Sequence, residues 1–366
     1  MVEPQRWQAE LEGRRAAVRE IVSANECDLL LAFGSQGHAE HFRYLTNFAP
    51  VMGDMWLILD GAVSCVLDFA WQLEEARRRS GIEDWHGQLG APAAVAEKLA
   101  AAAPKRVAVA GFERMPVAAF ETLRSPLPGV EFVDVGAEVA RLRRRKSPLE
   151  IELLREAARL TDHALDVARA EARPGRSERE LAALLGQALG PEWAFSPTVV
   201  SGNDDPIPIR EPTERRLEPG DSVMVDIGAA AEGYQADATR TFVLGEPNAE
   251  QRRVWDAVLR AYDAALEAAR PGEACVSTHK LASKAAEEAG YPLAHRIGHG
   301  IGLGTSFEWP DLFAEEAPFE PGVTICIEPG IAVPGAGVMK LEDDFVITED
   351  GCELLTNSAR DLEIVA

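Results

Sequence analysis

Four carboxylates and one histidine interrupt or border apolar, strand-like segments in the second half of the sequence: Asp226, Asp237, His299, Glu328 and Glu342. A buried carboxylate needs a partner charge or a metal ion, because water no longer stabilises it. Two aspartates that face each other would also repel unless a cation lies between them. Four carboxylates with a single imidazole suit a hard or borderline divalent ion. The residue types therefore predict a site for Mn²⁺, with Co²⁺ or Zn²⁺ as alternatives.

The spacing of these residues indicates which elements must carry them. Residues 222–244, SVMVDIGAAAEGYQADATRTFVL, contain two strand-like stretches around a Gly-containing turn, which puts Asp226 and Asp237 on adjacent strands. The other three border the apolar runs RIGHGIGL (296–303), TICIEPG (324–330) and KLEDDF (340–345). The glycines beside His299 permit close backbone approach. A lone histidine or aspartate would be interpreted as a core or capping residue, but five such positions favour one shared metal site.

The start of a long helix divides the chain. The basic run RLRRRK at 141–146, interpreted as a solvated linker rather than a partner site, precedes the tetrapeptide SPLE at 147–150. That tetrapeptide is the signature of a capping box with proline at the first helical position. We therefore place the domain boundary at residue 146, between a smaller N-terminal α/β domain (1–146) and a larger domain (147–366). In the first domain, Asp60-Gly61 between two apolar runs predicts a β-hairpin.

The larger domain contains an internal repeat. The tripeptide Arg-Pro-Gly at 173–175 recurs at 270–272, and alanines and an aspartate in the helix before it also match. In each copy a long helix ends before the Pro-Gly pair and a second helix follows, at about residues 177–189 and 277–289. Two copies predict a duplicated half-domain with a pseudo-twofold axis, so a site on that axis would take ligands from both halves.

The composition excludes several classes of function. The 366 residues contain 37 Lys and Arg against 60 Asp and Glu, a formal net charge of −23, whereas a nucleic-acid binder needs clustered basic residues in excess. No apolar run approaches the roughly 20 residues of a membrane span, and the first residues lack the apolar stretch of a secretory signal. The five cysteines, without CxxC spacing, indicate reduced thiols rather than disulfides or a cysteine-based zinc site. We expect a cytoplasmic protein with no nucleic-acid or membrane partner.

The motifs resemble those of the pita-bread metallopeptidases. DIG at 226–228, Asp237 with TRT at 239–241, GHGIG at 298–302, IEPG at 327–330 and LED at 341–343 occur in the family's order and spacing. The N-terminal α/β domain and FRYLTNF at 42–48 make the chain most similar to the prolidase and Xaa-Pro aminopeptidase branch. The resemblance covers nearly the whole chain. It implies an α+β, pita-bread (creatinase/aminopeptidase-like) catalytic domain with pseudo-twofold duplication, preceded by a smaller creatinase-N-like α/β domain, and a homodimer.

The resemblance also implies a dinuclear metal site. Asp226 would bind one divalent ion in bidentate fashion, His299 would bind the other, and Asp237 and Glu342 would bridge the two. Glu328 would ligate the ion on the His299 side and act as general base on a metal-bridging water. In the two-metal scheme the ions lower the pKa of this water and polarise the scissile carbonyl.

The chain departs from the pattern of the proline-specific members, which carry further histidines near the metals. His295 matches one of them, four residues before the ligand histidine. Ile209 stands where a second is expected, and Ser306 or Phe307 replaces a third. Lys340 replaces an arginine two residues before the last glutamate, which keeps the charge but loses the planar bidentate fork. In the family these groups position the substrate and stabilise the developing oxyanion.

Residues 307–309 are further candidates for substrate contact. Phe307 and Trp309 would form an apolar wall for a proline ring, although aromatic residues at these positions equally suit a plain core. Glu308 would bind a substrate ammonium, with a surface carboxylate as the competing interpretation.

The leading hypothesis is a dinuclear, metal-dependent hydrolase of short peptides, an Xaa-Pro dipeptidase of the prolidase type. A first alternative is an Xaa-Pro aminopeptidase that acts on longer peptides. A second, motivated by the missing histidines, is a hydrolase of a small non-peptide C–N bond. A third is an inactive binding homologue, which the complete set of five ligands disfavours.

Overall fold

The computed structural model describes residues 3–204, 207–304 and 307–365. The chain divides into two units, Met1–Arg143 and Arg144–Ala366. The domain boundary predicted at residue 146 stays a prediction.

The first unit is built on one mixed sheet. Its strands are β1 (Leu29–Ser35), β2 (Asp54–Leu59), β3 (Val63–Leu67), β4 (Trp85–Gly87), β5 (Arg106–Ala110) and β6 (Glu131–Asp134), in the spatial order β4-β3-β2-β1-β5-β6. Strands β2 and β3 pair antiparallel around Asp60-Gly61, which confirms the predicted hairpin. Its helices are α1 (Pro4–Ala24), α2 (Glu40–Thr46), α3 (Leu73–Ser80), α4 (Ala91–Ala102), α5 (Val117–Arg124) and α6 (Gly136–Leu142).

The second unit carries two helix pairs that begin and turn in the same way. They are α7 (Pro148–Glu171) with α8 (Glu178–Ala188), and α9 (Ala249–Ala268) with α10 (Val276–Glu288). The capping box predicted for α7 is present, because the Ser147 hydroxyl accepts from the Glu150 amide and the Glu150 carboxylate accepts from the Ser147 amide. Gly175 and Gly272 follow the two long helices with φ of +88° and +87°, and each donates its amide to a later carbonyl oxygen. These matched turns support the predicted duplication.

The strands of the second unit form two main sheets and two small hairpins. The strands are β7 (Thr198–Ser201), β8 (Ser222–Ile227), β9 (Ala230–Ala231), β10 (Tyr234–Gln235), β11 (Ala238–Leu244), β12 (His299–Gly300), β13 (Glu308–Asp311), β14 (Thr324–Ile327), β15 (Gly330–Val333), β16 (Gly337–Lys340), β17 (Asp343–Ile347), β18 (Cys352–Leu354) and β19 (Glu363–Val365). The main sheets have the orders β19-β11-β8-β7 and β13-β12-β14-β17-β18, while β9 pairs with β10 and β15 with β16.

Each main sheet buries one face against one helix pair. Val223, Val225 and Ile227 of β8 share a core with α7 and α8, and Ile325 and Ile327 of β14 share a core with α9 and α10. Because side chains alternate along a strand, the residues between them point to the opposite faces of the two sheets. The polar residues of interest lie on those opposite faces.

Within the described residues, no helix is both long enough and apolar enough to span a membrane. All five cysteines are free thiols, which confirms the prediction that disulfides do not stabilise this fold.

Candidate metal centre

The five predicted ligand positions lie in, or within two residues of, strands of the second unit. Asp226 is in β8, opposite Thr239 of β11 in the antiparallel register. Asp237 comes one residue before β11, because its amide donates to the Asp344 carboxylate (2.9 Å) instead of to a neighbouring strand. The adjacent-strand placement of the two aspartates is thus confirmed, with Asp237 displaced to the strand's edge.

The other three positions come from the second sheet and its connections. His299 begins β12, Glu328 follows β14 directly, and Glu342 lies between β16 and β17. The glycines beside His299 allow the close backbone approach that was predicted, because a Cβ on Gly298 or Gly300 would overlap a carbonyl oxygen of a neighbouring strand. The two main sheets meet here, because the Glu342 amide donates to the Thr239 carbonyl oxygen.

The His299 ring is held in one tautomer. Its Nδ1 lies 3.0 Å from the Gly300 carbonyl oxygen, which can only accept, so Nδ1 carries the proton. Nε2 therefore presents its lone pair inward, 3.7 Å from Asp237 Oδ2 and 3.9 Å from Glu328 Oε1. A backbone hydrogen bond that orients the distal nitrogen is the usual arrangement of a metal-binding histidine.

Lys340 supplies a positive charge inside the acidic cluster. Its Nζ lies 2.8 Å from Asp226 Oδ2, 2.8 Å from Glu328 Oε2 and 2.9 Å from Glu342 Oε2. Burial disfavours the charged ammonium, but these three carboxylates outweigh that cost and raise the pKa of Lys340 well above its usual value. The residue stays protonated. Its predicted contact with substrate stays a prediction.

The negative charge of the clustered carboxylates is larger than the single positive charge of Lys340 among them. Burial, followed by the Glu342 and Asp226 carboxylates, raises the pKa of Asp237 well above its usual range. Burial also raises the pKa of Asp226, although the Lys340 ammonium opposes that shift. In each case the shift means that the carboxylate would be stabilised by a proton or by a further positive charge.

Three buried oxygen atoms at this point have no hydrogen-bond partner: Asp226 Oδ1, Asp237 Oδ1 and Glu342 Oε1. Leaving buried acceptors unpaired is costly, and a divalent cation would satisfy them. Unpartnered carboxylate oxygens beside an imidazole lone pair are the donor set that such an ion needs, so the residues fit the metal that the sequence predicts.

Several neighbours fix the ligands in place. The Thr239 hydroxyl donates to Glu342 Oε2 at 2.7 Å. The buried Arg240 guanidinium donates to the Glu342 carbonyl oxygen (2.6 Å) and to Asp343 Oδ1 (2.6 Å). Both residues belong to the TRT motif, so its polar side chains support the ligand that follows β16. The sequence alone assigned them no role.

His295 lies beside the candidate general base. Its Nδ1 donates to the Arg296 carbonyl oxygen (2.7 Å) and lies 3.8 Å from Glu328 Oε2, while Nε2 is buried without a partner. Gly330 leaves room for this ring, because a Cβ at residue 330 would overlap His295 Nε2. The glycine of the IEPG motif thus has a steric reason to be glycine.

Residues 307–309 differ from one another in their surroundings. Phe307 is exposed and its ring centroid lies 4.2 Å from that of His299, so the interpretation of Phe307 as a core residue is wrong. Trp309 is partly buried on the core of the second sheet, is covered by the Arg144 guanidinium at 4.0 Å, and donates its indole N–H to Glu315. The apolar wall stays a prediction.

Glu308 is neither free nor on the surface. Its Oε2 lies 2.8 Å from Lys146 Nζ, and the two side chains are 3% and 1% exposed, so the surface interpretation is wrong. Its predicted contact with a substrate ammonium stays a prediction. Ile209 is exposed, and Ser306 lies outside the described residues.

Cys326 is the residue of this cluster that sequence reasoning missed. Ligand-capable atoms of Asp237, His299, Cys326 and Glu342 all lie within 4.8 Å of one another. Burial, followed by the Glu342 and Glu328 carboxylates, raises the pKa of the Cys326 thiol well above its usual value. Alternation could have revealed it, because a residue two positions before Glu328 on a strand points to the same face.

Comparisons with protein families match both units. Residues 152–349 match the model of metallopeptidase family M24, and residues 14–145 match the creatinase/prolidase N-terminal domain.

Individual relatives agree with these matches. The chain is 36% identical over 239 residues to an Xaa-Pro dipeptidase of Pyrococcus furiosus. The aligned segment covers 63% of this chain and 68% of that protein. It is 36% identical over 244 residues to a putative dipeptidase of Bacillus subtilis, covering 65% and 67%.

Among solved structures, an X-Pro aminopeptidase from Thermotoga maritima superposes with a TM-score of 0.88 at 26% identity, covering 96% of this chain and 99% of that one. The prolidase from Pyrococcus horikoshii gives 0.86 at 27% identity with the same coverage. The predicted pita-bread fold with its preceding N-terminal domain is therefore confirmed.

Proposed function

This chain belongs to metallopeptidase family M24, and from that premise we propose that it hydrolyses Xaa-Pro dipeptides, at the bond before proline, with two bound divalent ions. One observation carries the proposal. Asp237 and Glu342, each with an unpartnered buried oxygen, cluster with the inward-facing Nε2 of His299, and Lys340 joins Asp226, which has a third unpartnered oxygen, to Glu342. The name of the Pyrococcus furiosus relative, an Xaa-Pro dipeptidase, supports the substrate class.

The ligand assignment follows the five predicted positions. Asp226 would hold one ion and His299 the other, with Asp237 and Glu342 between them and Glu328 on the His299 side. Bound divalent ions would polarise the scissile carbonyl and lower the pKa of water. The oxygen-rich Asp226 side favours Mn²⁺, with Co²⁺ or Zn²⁺ as alternatives.

Glu328 is the proposed general base. It would accept a proton from the attacking water and return it to the departing proline nitrogen, the ordinary sequence for one carboxylate in amide hydrolysis. Lys340, at 2.8 Å from Oε2, holds that carboxylate in position. His295, with its proton on Nδ1, keeps Nε2 free to accept a hydrogen bond or, once protonated, to stabilise negative charge on the substrate.

The substrate's proline ring would pack on Phe307, which is exposed next to His299. Trp309 and Glu308 would support this apolar wall and not contact the substrate directly. The Trp309 ring is covered by the Arg144 guanidinium, and the Glu308 carboxylate is paired with Lys146. Lys340 would act on the substrate only indirectly, by positioning the carboxylates that it contacts.

Hydrolysis of a substrate panel by the purified chain tests the proposal. The panel contains Xaa-Pro dipeptides, Xaa-Pro-Xaa tripeptides and Xaa-Ala dipeptides, each with Mn²⁺, Co²⁺ or Zn²⁺ after removal of bound metal. We expect turnover of Xaa-Pro dipeptides, and its loss in Glu328→Gln even at metal concentrations high enough to keep both ions bound. A metal-loaded chain that cleaves no member would overturn the proposal.

An Xaa-Pro aminopeptidase is the second candidate, favoured by the similarity to the Thermotoga maritima structure of that name. The same panel separates the two, because an aminopeptidase would cleave Xaa-Pro-Xaa tripeptides faster than dipeptides. Asp237→Ala and Glu342→Ala test the bridging assignment, since each should lose both ions by elemental analysis.

The remaining features of the proposal concern the state of the protein. We propose a cytoplasmic homodimer whose domains are residues 1–146 and 147–366. Light scattering during gel filtration measures the oligomeric state, and limited proteolysis with mass spectrometry locates the boundary. A monomer, or stable fragments cut elsewhere, would contradict these assignments.

A further inference from the structure

A fully buried thiol faces the candidate metal centre. Cys326 lies in β14, two residues before Glu328, and its Sγ is 3.4 Å from His299 Nε2. In the tautomer whose Nδ1–H donates to the Gly300 carbonyl oxygen, Nε2 is an acceptor and the thiol donates to it. The sulfur therefore lies next to Nε2, the nitrogen with which His299 would bind an ion.

The surroundings of this cysteine differ from those of an ordinary core thiol. Cys275 is equally buried and packs within the apolar core of the second sheet. The neighbours of Cys326 in sequence, Ile325 and Ile327, join that core as well, but Cys326 points away from it. Its side chain is buried among ionisable groups, which gain little from a small apolar neighbour.

A second observation points to a ligand at the same place. The cluster that brings Cys326 within 4.8 Å of Asp237, His299 and Glu342 contains two buried oxygens without partners, Asp237 Oδ1 and Glu342 Oε1. One sulfur, one nitrogen and two carboxylates, beside the Glu328 carboxylate of the proposed ligand set, make a donor set of mixed softness, which suits Zn²⁺ or Co²⁺ better than Mn²⁺.

We propose that Cys326 is a protein ligand of the ion on the His299 side and makes that position selective for Zn²⁺, Co²⁺ or Cd²⁺ over Mn²⁺. The inference rests on the metal centre of the proposed function. As the sulfur–metal bond forms, the thiol proton passes to solvent. The Asp226 side has no thiol in the described cluster and keeps its preference for harder ions.

Absorption spectroscopy of the cobalt-loaded chain tests this directly. Metal-free protein is titrated with Co²⁺ under argon, and thiolate-to-cobalt charge transfer is recorded in the near ultraviolet beside the visible bands that report cobalt binding. We expect the charge-transfer band in the wild type and in Cys352→Ser, which removes a partly buried thiol elsewhere. We expect it to be absent in Cys326→Ser.

Metal competition gives a second readout. Replacing sulfur by oxygen should lower the affinity for Zn²⁺ by about tenfold or more, while the affinity for Mn²⁺ changes less. Circular dichroism shows whether Cys326→Ser folds. If it does not, the wild-type spectrum alone decides, with Cd²⁺ as a second thiophilic probe.

The outcomes separate this inference from the proposed function. Visible cobalt bands without a near-ultraviolet band in the wild type overturn the thiolate ligand and leave the peptidase proposal intact. A near-ultraviolet band that persists in Cys326→Ser also overturns it. A chain that binds no cobalt overturns the metal centre, and both proposals with it.

Discussion

Replacing Lys340 with methionine tests whether the acidic centre needs a cation. Methionine keeps the length of the side chain and removes the ammonium that contacts Asp226, Glu328 and Glu342. Removing one partner of a buried ion pair costs about 3–5 kcal/mol, because the remaining charge is left uncompensated. For a domain of 150–250 residues each kcal/mol lowers Tm by about 2–4 °C. The metal-free variant should therefore melt about 6–20 °C below the wild type.

Divalent ions should reverse much of this loss. An ion at 100 times its Kd adds about 2.7 kcal/mol of stability, and it binds the variant more tightly because no ammonium competes for the carboxylates. Differential scanning calorimetry with a chelator and then with excess Mn²⁺ measures both effects. The rise in Tm on adding Mn²⁺ should be larger in Lys340→Met than in the wild type.

Lys146→Met is the matched control. Lys146 also forms a buried ion pair, with Glu308 at 2.8 Å, but its Nζ contacts none of the five predicted ligands in the described contacts. This variant should lose stability as well, while Mn²⁺ raises its Tm only as much as that of the wild type. A role for Lys340 as the compensating cation is refuted if Mn²⁺ stabilises Lys340→Met no more than the wild type, or if the metal-free variant melts at the wild-type temperature.

Three further predictions concern positioning, acid stability and metal affinity. Gly330→Ala should lower kcat/KM by about 10²-fold with metal content unchanged, because its Cβ would displace the His295 ring; steady-state kinetics with elemental analysis measures this. Burial disfavours the charged form of Glu178, but its hydrogen bonds outweigh that effect and lower its pKa from 4.5 to about 2. The ionised carboxylate therefore stabilises the fold above pH 4.5, and this contribution is lost as the pH falls towards 2. Glu178→Gln should thus cost about 3 kcal/mol at pH 7 in urea unfolding, and its deficit should shrink on acidification. Thr239→Val removes the hydroxyl that donates to Glu342, so metal affinity by chelator competition should fall about 10–100-fold.

Controls for these variants come from similar residues without the contact in question. Gly351→Ala adds a methyl group where nothing lies within 4 Å, so kcat/KM should not change. Glu214→Gln removes an exposed carboxylate and should leave acid unfolding unchanged. Thr161→Val removes a buried hydroxyl that bonds to backbone groups and should leave metal affinity intact. A control that behaves like its test variant would contradict the corresponding prediction.

Local signals in the sequence were sufficient for several features. The capping box at Ser147 and the hairpin at Asp60-Gly61 depend on residues a few positions apart, so sequence reasoning located them. The duplicated Arg-Pro-Gly turns were also visible, because each ends a helix by its own backbone chemistry. Asp237 was displaced from its strand by Asp344, a contact between residues 107 positions apart that no local pattern reports.

The candidate site shows the same division. The types and order of Asp226, Asp237, His299, Glu328 and Glu342 indicated a metal centre, because carboxylates in apolar strands need a cation.

Only the tertiary structure decided which other groups reach that centre. It brought the Cys326 thiol to His299, the Lys340 ammonium among three carboxylates, and Glu308 into a buried pair with Lys146, 162 positions away. Whether a thiol, an ammonium or a carboxylate lies within bonding distance depends on how two sheets and their connections pack. Residue type and spacing along the chain do not contain that distance.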